Sequence, residues 1–294
     1  MRILVTGKQG QVAQSLFEIG SDRDVEIVLV GRPDLDLLDA STVYDAISSA
    51  KPDVVVSAAA YTAVDKAESE PEAAFAVNAI GAGAVAEAAA KLDVPVIHLS
   101  TDYVFDGRLD RPYREDDKVG TMSVYGASKL EGERLVSSAT PNHAIFRTAW
   151  VYSPFGNNFV KTMLRLGETR AELGVVSDQI GCPTSALDIA EAVITAARRL
   201  ATDPAPSLRG IFHLTGSGEG SWADFAEHIF RSAGAAGRAP VRVNRIRTAD
   251  YPTPAQRPAN SRLSGERLQQ QYGIRLPEWR ASADRVVSRL LSEV

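Results

Sequence analysis

The sequence is poor in residues that tie a chain together by anything other than packing. One cysteine, Cys182, stands among 294 residues, so no intramolecular disulfide can form and a reducing cytoplasm is the expected compartment. Four histidines, His98, His143, His213 and His228, lie scattered with no two at ligand spacing, which argues against a protein-built metal cage. The longest apolar stretches, such as "DVVVSAAAYTAV", read as too short for a spanning helix of about 20 residues. Like charges never gather in blocks. The net charge of −5 excludes a general nucleic-acid binder, which needs a basic face. The opening "RILVTG" has no charged lead, apolar core and cleavage site, so no signal peptide is expected.

What is present is an alternation of short apolar runs and longer amphipathic ones. Strands are expected at Arg2–Thr6, Glu26–Val30, Asp53–Ser57, Pro95–Ser100 and Ala144–Thr148. Helices are expected near Gly10–Ile19, Ser41–Ser49, Pro71–Leu92 and Val124–Val136. Strand, helix, strand repeated in this way predicts an α/β, doubly wound parallel sheet covered on both faces. After residue 150 the pattern loosens into helices at Asn158–Leu166, Ala186–Leu200 and Trp222–Ala233 with Pro/Gly-bearing loops. A run at 210–216 is placed to return to the main sheet, and two short helices follow Arg262. The expected partition is a nucleotide-binding domain over 1–150 and a smaller, loop-rich substrate domain over 151–294.

The first strand runs into "TGKQGQVA", with Gly7 and Gly10 ahead of the first helix and Ala13 in the third small-residue position. Glycines there permit a tight turn and let a pyrophosphate approach a helix N-terminus. The second strand ends in Gly31 and Arg32 where an NAD-preferring site places an acid. A guanidinium suits a 2′-phosphate, so NADPH is expected over NADH. Asp36 and Leu37 follow, where they can flank an adenine.

Ala58, Ala59 and Ala60 end the third strand and would let a cofactor lie close. Ser100 and Thr101 put hydroxyls at the same sheet edge. In "SVYGASKLEGE", Tyr125 and Lys129 share one helix face, with Cβ atoms ~5–6 Å apart. The ammonium is expected to lower the phenol's pKa, and Thr101 to bind the same carbonyl oxygen that Tyr125 protonates. The reaction this serves is hydride transfer between a nicotinamide and a carbonyl.

Together, "TGKQGQVA", "SAAAYTAVDKAE", "STDYVFDG" and "YGASKLEGE" resemble the extended short-chain dehydrogenase/reductase family. "IFRTAWVYSPFGNNFVKTML", "VVSDQIGCPTSA" and "YPTPAQRPANSRL" extend the likeness over nearly the whole chain. Within that family the likeness is to the branch that reduces the 4-keto group of a dTDP-linked deoxyhexose. The resemblance implies a Rossmann-type fold and NADPH or NADH as cofactor. It implies catalytic roles for Tyr125, Lys129 and Thr101, and substrate contacts at Asp102 and Trp150. It also implies cofactor contacts at Gly10, Gln11, Val12, Asp36, Leu37, Ala60, Tyr61, Thr62, Tyr125 and Lys129.

Arg257 and Arg262 follow a Pro-rich turn, and the resemblance favours Arg257 as a contact to the substrate diphosphate. On magnesium, present in some relatives, the sequence is silent. The expected partners are a nucleotide-sugar substrate and a second copy of the chain, with no nucleic acid and no membrane. A second enzyme reading on the same scaffold is a nucleotide-sugar epimerase, a dehydratase or a different 4-ketoreductase. The dehydratase fits less well, because no Glu accompanies Asp102 in "STDYVF". A non-catalytic regulatory subunit, like the partner of methionine adenosyltransferase, could lose Tyr or Lys; here both are kept.

Overall fold

The computed structural model describes residues 1–292. The first half runs β1 (Arg2–Thr6), α1 (Gln11–Asp22), β2 (Glu26–Val30), α2 (Ser41–Ala50) and β3 (Val54–Ser57). It continues α3 (Val64–Ala67), α4 (Pro71–Phe75), α5 (Ala82–Lys91), β4 (Val96–Thr101), α6 (Val124–Ala139) and β5 (His143–Thr148). The short strands β6 (Val151–Tyr152), β8 (Ile180–Gly181) and β9 (Thr184–Ser185) then accompany α7 (Phe159–Gly167), β7 (Glu172–Val176) and α8 (Ala186–Thr202). Last come β10 (Gly210–His213), β11 (Gly220–Ser221), α9 (Trp222–Ala235), β12 (Arg242–Ile246), β13 (Asn260–Ser261), α10 (Glu266–Tyr272) and α11 (Trp279–Ser292).

Six strands form the central sheet in the order β10-β5-β4-β3-β1-β2, every neighbour parallel. The period of two along each strand divides its apolar residues between two cores. Ile3, Val5, Val54 and Val56 join Leu16 of α1 and Val193 of α8 on one face. Leu4 and Val55 join Val43 of α2, Val85 of α5 and Val136 of α6 on the other. Both faces are covered, which is why the strands read as unbroken Val/Ile/Leu runs. The order of strand addition reverses between β1 and β3, one flank running to β2 and the other to β10, so a crevice opens above their carboxyl ends.

The helix expected over Pro71–Leu92 is not continuous. A π-helical turn, Ala76–Gly81, separates α4 from α5. Asn78 in that turn is buried, accepts from the Tyr61 backbone N–H at 2.8 Å and donates to the Tyr61 carbonyl at 3.0 Å. The inserted residue is the local price of aiming a polar side chain at the end of β3. The run Pro71–Lys91 is also longer than the apolar stretches singled out in the sequence, 21 residues with a mean hydropathy of 1.4. By length and composition it could cross a membrane; here it packs as a core helix against α2 and α6.

The second half of the chain builds a smaller module with a core of its own. Its core gathers Val160 of α7, Leu173 of β7, Phe225 and Ile229 of α9, and Trp279 and Val286 of α11. β7 and β12 pair in parallel as its own ribbon.

Candidate active site

A cleft of about 1230 Å³ follows the crevice from the first βα turn to the start of α6. Gly7 sits at φ +96°, a left-handed backbone that other residues resist, and a Cβ there would meet Ala59 at 3.4 Å. The Thr6 hydroxyl accepts from the N–H groups of Ala58 and Ala59 at 3.0 and 3.1 Å, tying the ends of β1 and β3 together. α1 begins at Gly10 with no side-chain cap, so its first N–H groups face the cleft without a protein partner from that residue. These features fit a pyrophosphate group.

Thr101 ends β4, and Tyr125 and Lys129 rise on the first turns of α6, where Ser123 caps the helix by accepting from Gly126 N–H at 3.1 Å. All three line the cleft. Gly126 is required by proximity: a Cβ there would stand 2.3 Å from the Tyr103 carbonyl oxygen. The Tyr103 ring meets Tyr125 edge-on at 5.4 Å and sets its orientation. Next to Thr101, Asp102 is buried and accepts from the Thr101 hydroxyl at 3.0 Å. Burial pushes the Asp102 carboxyl up to about 6, against hydrogen bonds from Ser261 and Thr101 that favour its charged form.

The electrostatics of the pair differ from the sequence expectation. Burial holds the Tyr125 phenol above its ordinary value; the Thr101 hydroxyl pulls it back, and Asp102 and Tyr103 push it further up. Lys129 is not among the groups that move it. The ammonium is turned inward, donating to the Leu99 carbonyl at 2.7 Å with His98 Nε2 at 3.3 Å. Burial lowers Lys129 to about 8, with Glu133 opposing. Desolvation outweighs charge proximity, and Tyr125 keeps its proton across the neutral range.

The other expected residues distribute as follows. Gln11, Val12, Arg32, Asp36, Leu37, Ala60, Tyr61, Thr62 and Trp150 all line the cleft. The Gln11 side chain also accepts from Ser153 at 2.8 Å, bridging the phosphate turn to the segment after β5. Arg32 is exposed, and Asp36 accepts from the Leu38 N–H at 3.0 Å. Trp150 takes φ +51° and stacks on Trp222 at 3.6 Å, which braces it as a wall. Arg257 stands behind the lining, paired with Asp65 at 2.7 Å and donating to the Tyr103 hydroxyl at 3.2 Å.

Arg262 is not brought to the cleft. It is committed to Asn260, Glu219 and the Asp110 carbonyl, beside a separate cavity of about 410 Å³. Among the described residues no group of three His, Cys, Asp or Glu stands close enough to hold a metal. Sequence reasoning missed Asn78, His98, Tyr103 and Trp222. Asn78 and His98 did carry a signal: each is a lone polar residue inside an apolar run that the fold buries.

The family model described as RmlD substrate binding domain matches residues 1–292. A dTDP-4-dehydrorhamnose reductase of Sinorhizobium fredii is 58% identical, the match covering 100% of this chain and 99% of the relative. A solved dTDP-4-dehydrorhamnose reductase from Clostridium acetobutylicum superposes with TM-score 0.92 at 40% identity, over 99% of this chain and 100% of that one. Another from Bacillus anthracis, solved in complex with NADP, gives 0.89 at 33% identity over 100% and 99%. Matched over residues 1–292 by the family model and end to end by these relatives, the chain belongs to the RmlD family, among the dTDP-4-dehydrorhamnose reductases.

Proposed function

We propose that the chain reduces the 4-keto group of dTDP-4-dehydro-L-rhamnose to give dTDP-L-rhamnose, with NADPH as the preferred cofactor. The observation that carries this reading is the convergence of Thr101, Tyr125 and Lys129 on one cleft that begins at the Gly7–Gly10 turn. A bound NAD(P)H supplies the hydride. Gly7, Gly10, Gln11 and Val12 would hold its phosphates; Arg32, Asp36 and Leu37 its adenosine half; Ala60, Tyr61 and Thr62 the middle; and Tyr125 and Lys129 the nicotinamide ribose.

Tyr125 is suited to proton donation because its desolvated phenol stays protonated until a stronger base forms beside it. That base is the substrate oxygen as it gains negative charge. The Thr101 hydroxyl, which donates to Asp102 in the free protein, can turn to the same oxygen. The Lys129 cation, with Leu99 and His98 taking two of its donors, keeps one N–H for the nicotinamide ribose hydroxyls. Asp102 and Trp150 bound the sugar, and Arg257, held behind the lining by Asp65, would have to give up that partner to meet the diphosphate. The central sheet layer takes the cofactor, and the module built on α7, α9 and α11 closes the substrate side.

The test follows nicotinamide absorbance with purified protein, NADPH and dTDP-4-dehydrorhamnose. Turnover is expected, and turnover only with a different keto-sugar nucleotide overturns the substrate. Tyr125→Phe is expected to lower kcat on the order of 100-fold or more. Arg32→Ala is expected to reduce kcat/KM for NADPH and to leave NADH nearly unchanged. Preference for NADH in the wild type, unmoved by the substitution, removes the Arg32 assignment.

A further inference from the structure

His98 occupies the middle of β4, where the strand is buried along its whole length. An aliphatic residue would satisfy that position, as Ile97 and Leu99 do beside it. The ring instead stands between two polar partners contributed by other elements. Its Nδ1 is 3.1 Å from the Ser57 hydroxyl at the end of β3, and its Nε2 is 3.3 Å from Lys129 Nζ on α6. All three side chains are at most 2% exposed.

We propose that His98 is a positioning residue for Lys129, accepting a hydrogen bond from one of its ammonium N–H groups so that the remaining free N–H is presented to the cleft. The inference rests on the catalytic reading of Lys129 given above. An ammonium has three N–H donors and no acceptor. The Leu99 carbonyl takes one at 2.7 Å and His98 Nε2 takes the second. Lys129 lines the cleft, so the third is left for a ligand hydroxyl or the Tyr125 oxygen.

The roles of the two ring nitrogens follow from charge. A protonated imidazole against a buried ammonium would place two cations side by side. Burial and the Lys129 charge accordingly keep His98 well below its ordinary value, with His143 of β5 adding to the effect. The ring is therefore neutral, with Nε2 accepting from Lys129 and the Nδ1 hydrogen donated to Ser57. Lys129, which can only donate, makes Nε2 the acceptor and puts the ring hydrogen on Nδ1. Ser57 accepts the hydrogen bond from Nδ1 and holds the ring in place, and the held ring orients the ammonium. Around Lys129 the other titratable groups are Glu133 one turn further along α6, which supports the cation, and Tyr125 one turn before it.

Ionisation of Lys129 is the readout that a merely space-filling histidine would not move. The folded pKa of about 8 lies below the ordinary 10.5, so in that interval the unfolded chain binds more protons. The Lys129 contribution to stability therefore rises with pH across the interval. Removing a neutral acceptor weakens the charged form, so His98→Leu is expected to move the start of that rise about one pH unit lower. The thermal midpoint of the protein alone, scanned against pH, measures this without turnover. In parallel, the alkaline limb of kcat should move acidward by about the same amount, with kcat at neutral pH down on the order of 10- to 100-fold. His98→Gln, whose side-chain carbonyl can accept from Lys129, is expected to restore both profiles, and Ser57→Ala to shift them part of the way. Lys129→Met lacks the rise altogether.

Wild-type profiles in His98→Leu, or a Gln variant as damaged as Leu, overturn the proposal. Should His98→Leu fail to fold, unshifted profiles in Ser57→Ala overturn it and a partial shift upholds it. Full turnover in Lys129→Met would instead remove the catalytic reading beneath it, a distinguishable result.

Discussion

Two buried cations border the same helix and are handled in opposite ways. Arg147 of β5 is 2% exposed and meets Glu133 of α6 through two hydrogen bonds, at 2.9 and 2.7 Å. The Ser100 hydroxyl donates to the same carboxylate at 2.5 Å, and the Phe105 ring lies 5.0 Å from the guanidinium. Lys129, one turn earlier on α6, is equally buried but receives only a carbonyl and a neutral ring. A charge met by a fitted counter-charge is part of the scaffold. A charge hydrogen-bonded only to dipoles, with Glu133 supporting it without contact, slips towards neutrality, here to about 8, and is available for chemistry.

The contrast fails if the two sites respond alike to loss of their cation. Lys129→Met should abolish most turnover, on the order of 1000-fold in kcat, while leaving the thermal midpoint equal to or above the wild type, because an under-compensated buried charge is removed. Arg147→Met should do the reverse. It strands Glu133 in the core, and denaturant unfolding should record a loss of about 3–5 kcal/mol.

Asp102 extends the comparison to a carboxyl that has no cation among its hydrogen-bond partners. Its folded pKa of about 6 exceeds the ordinary 3.8, so between those values the folded state holds the extra proton. Its contribution to stability is therefore greatest below the interval and falls as pH rises through it. Asp102→Asn should flatten that slope in thermal midpoints scanned from pH 4 to 6 and raise the midpoint at neutral pH by about 2–4 °C. The smallest effect is expected at Arg257, which keeps Asp65 as a partner in the free protein. Arg257→Ala should raise KM for the nucleotide-sugar about 3- to 10-fold with kcat nearly kept.

The first five strands of the sheet were legible to within a residue because each is an apolar run too short for a helix and bounded by turn residues. The run 210–216 overshoots β10, which ends at His213, and β7 and β12 were not anticipated. Arg2–Thr6 and Glu26–Val30 match at both ends. The break at Ala76–Gly81 was not legible, since alanine-rich helix composition is indifferent to one extra residue in a turn. Its cause is Asn78 reaching Tyr61 and Ser128, partners far away in sequence. Within the site, the Tyr125–Lys129 spacing correctly put both residues on the cleft. It could not reveal that Lys129 turns its donors towards Leu99 and His98, because β4 supplies those acceptors from some thirty residues away. The shared origin of Arg257 and Arg262 in one loop likewise concealed their divergence to different partners.

The return of β10 to the outer side of β5 bears on how the protein is made. As synthesis passes residue 148, β5 is the open edge of the nascent sheet, and the α8 that covers one of its faces does not yet exist. The strand that covers β5 and becomes the final edge ends at His213, so a growing chain leaves β5 unpaired on that side for a time on the order of seconds. A fragment cut at the apparent end of the nucleotide-binding half would carry that edge permanently and would be expected to aggregate when expressed alone. The first half of the chain holds five of the six sheet strands, and the sixth must come from the second half.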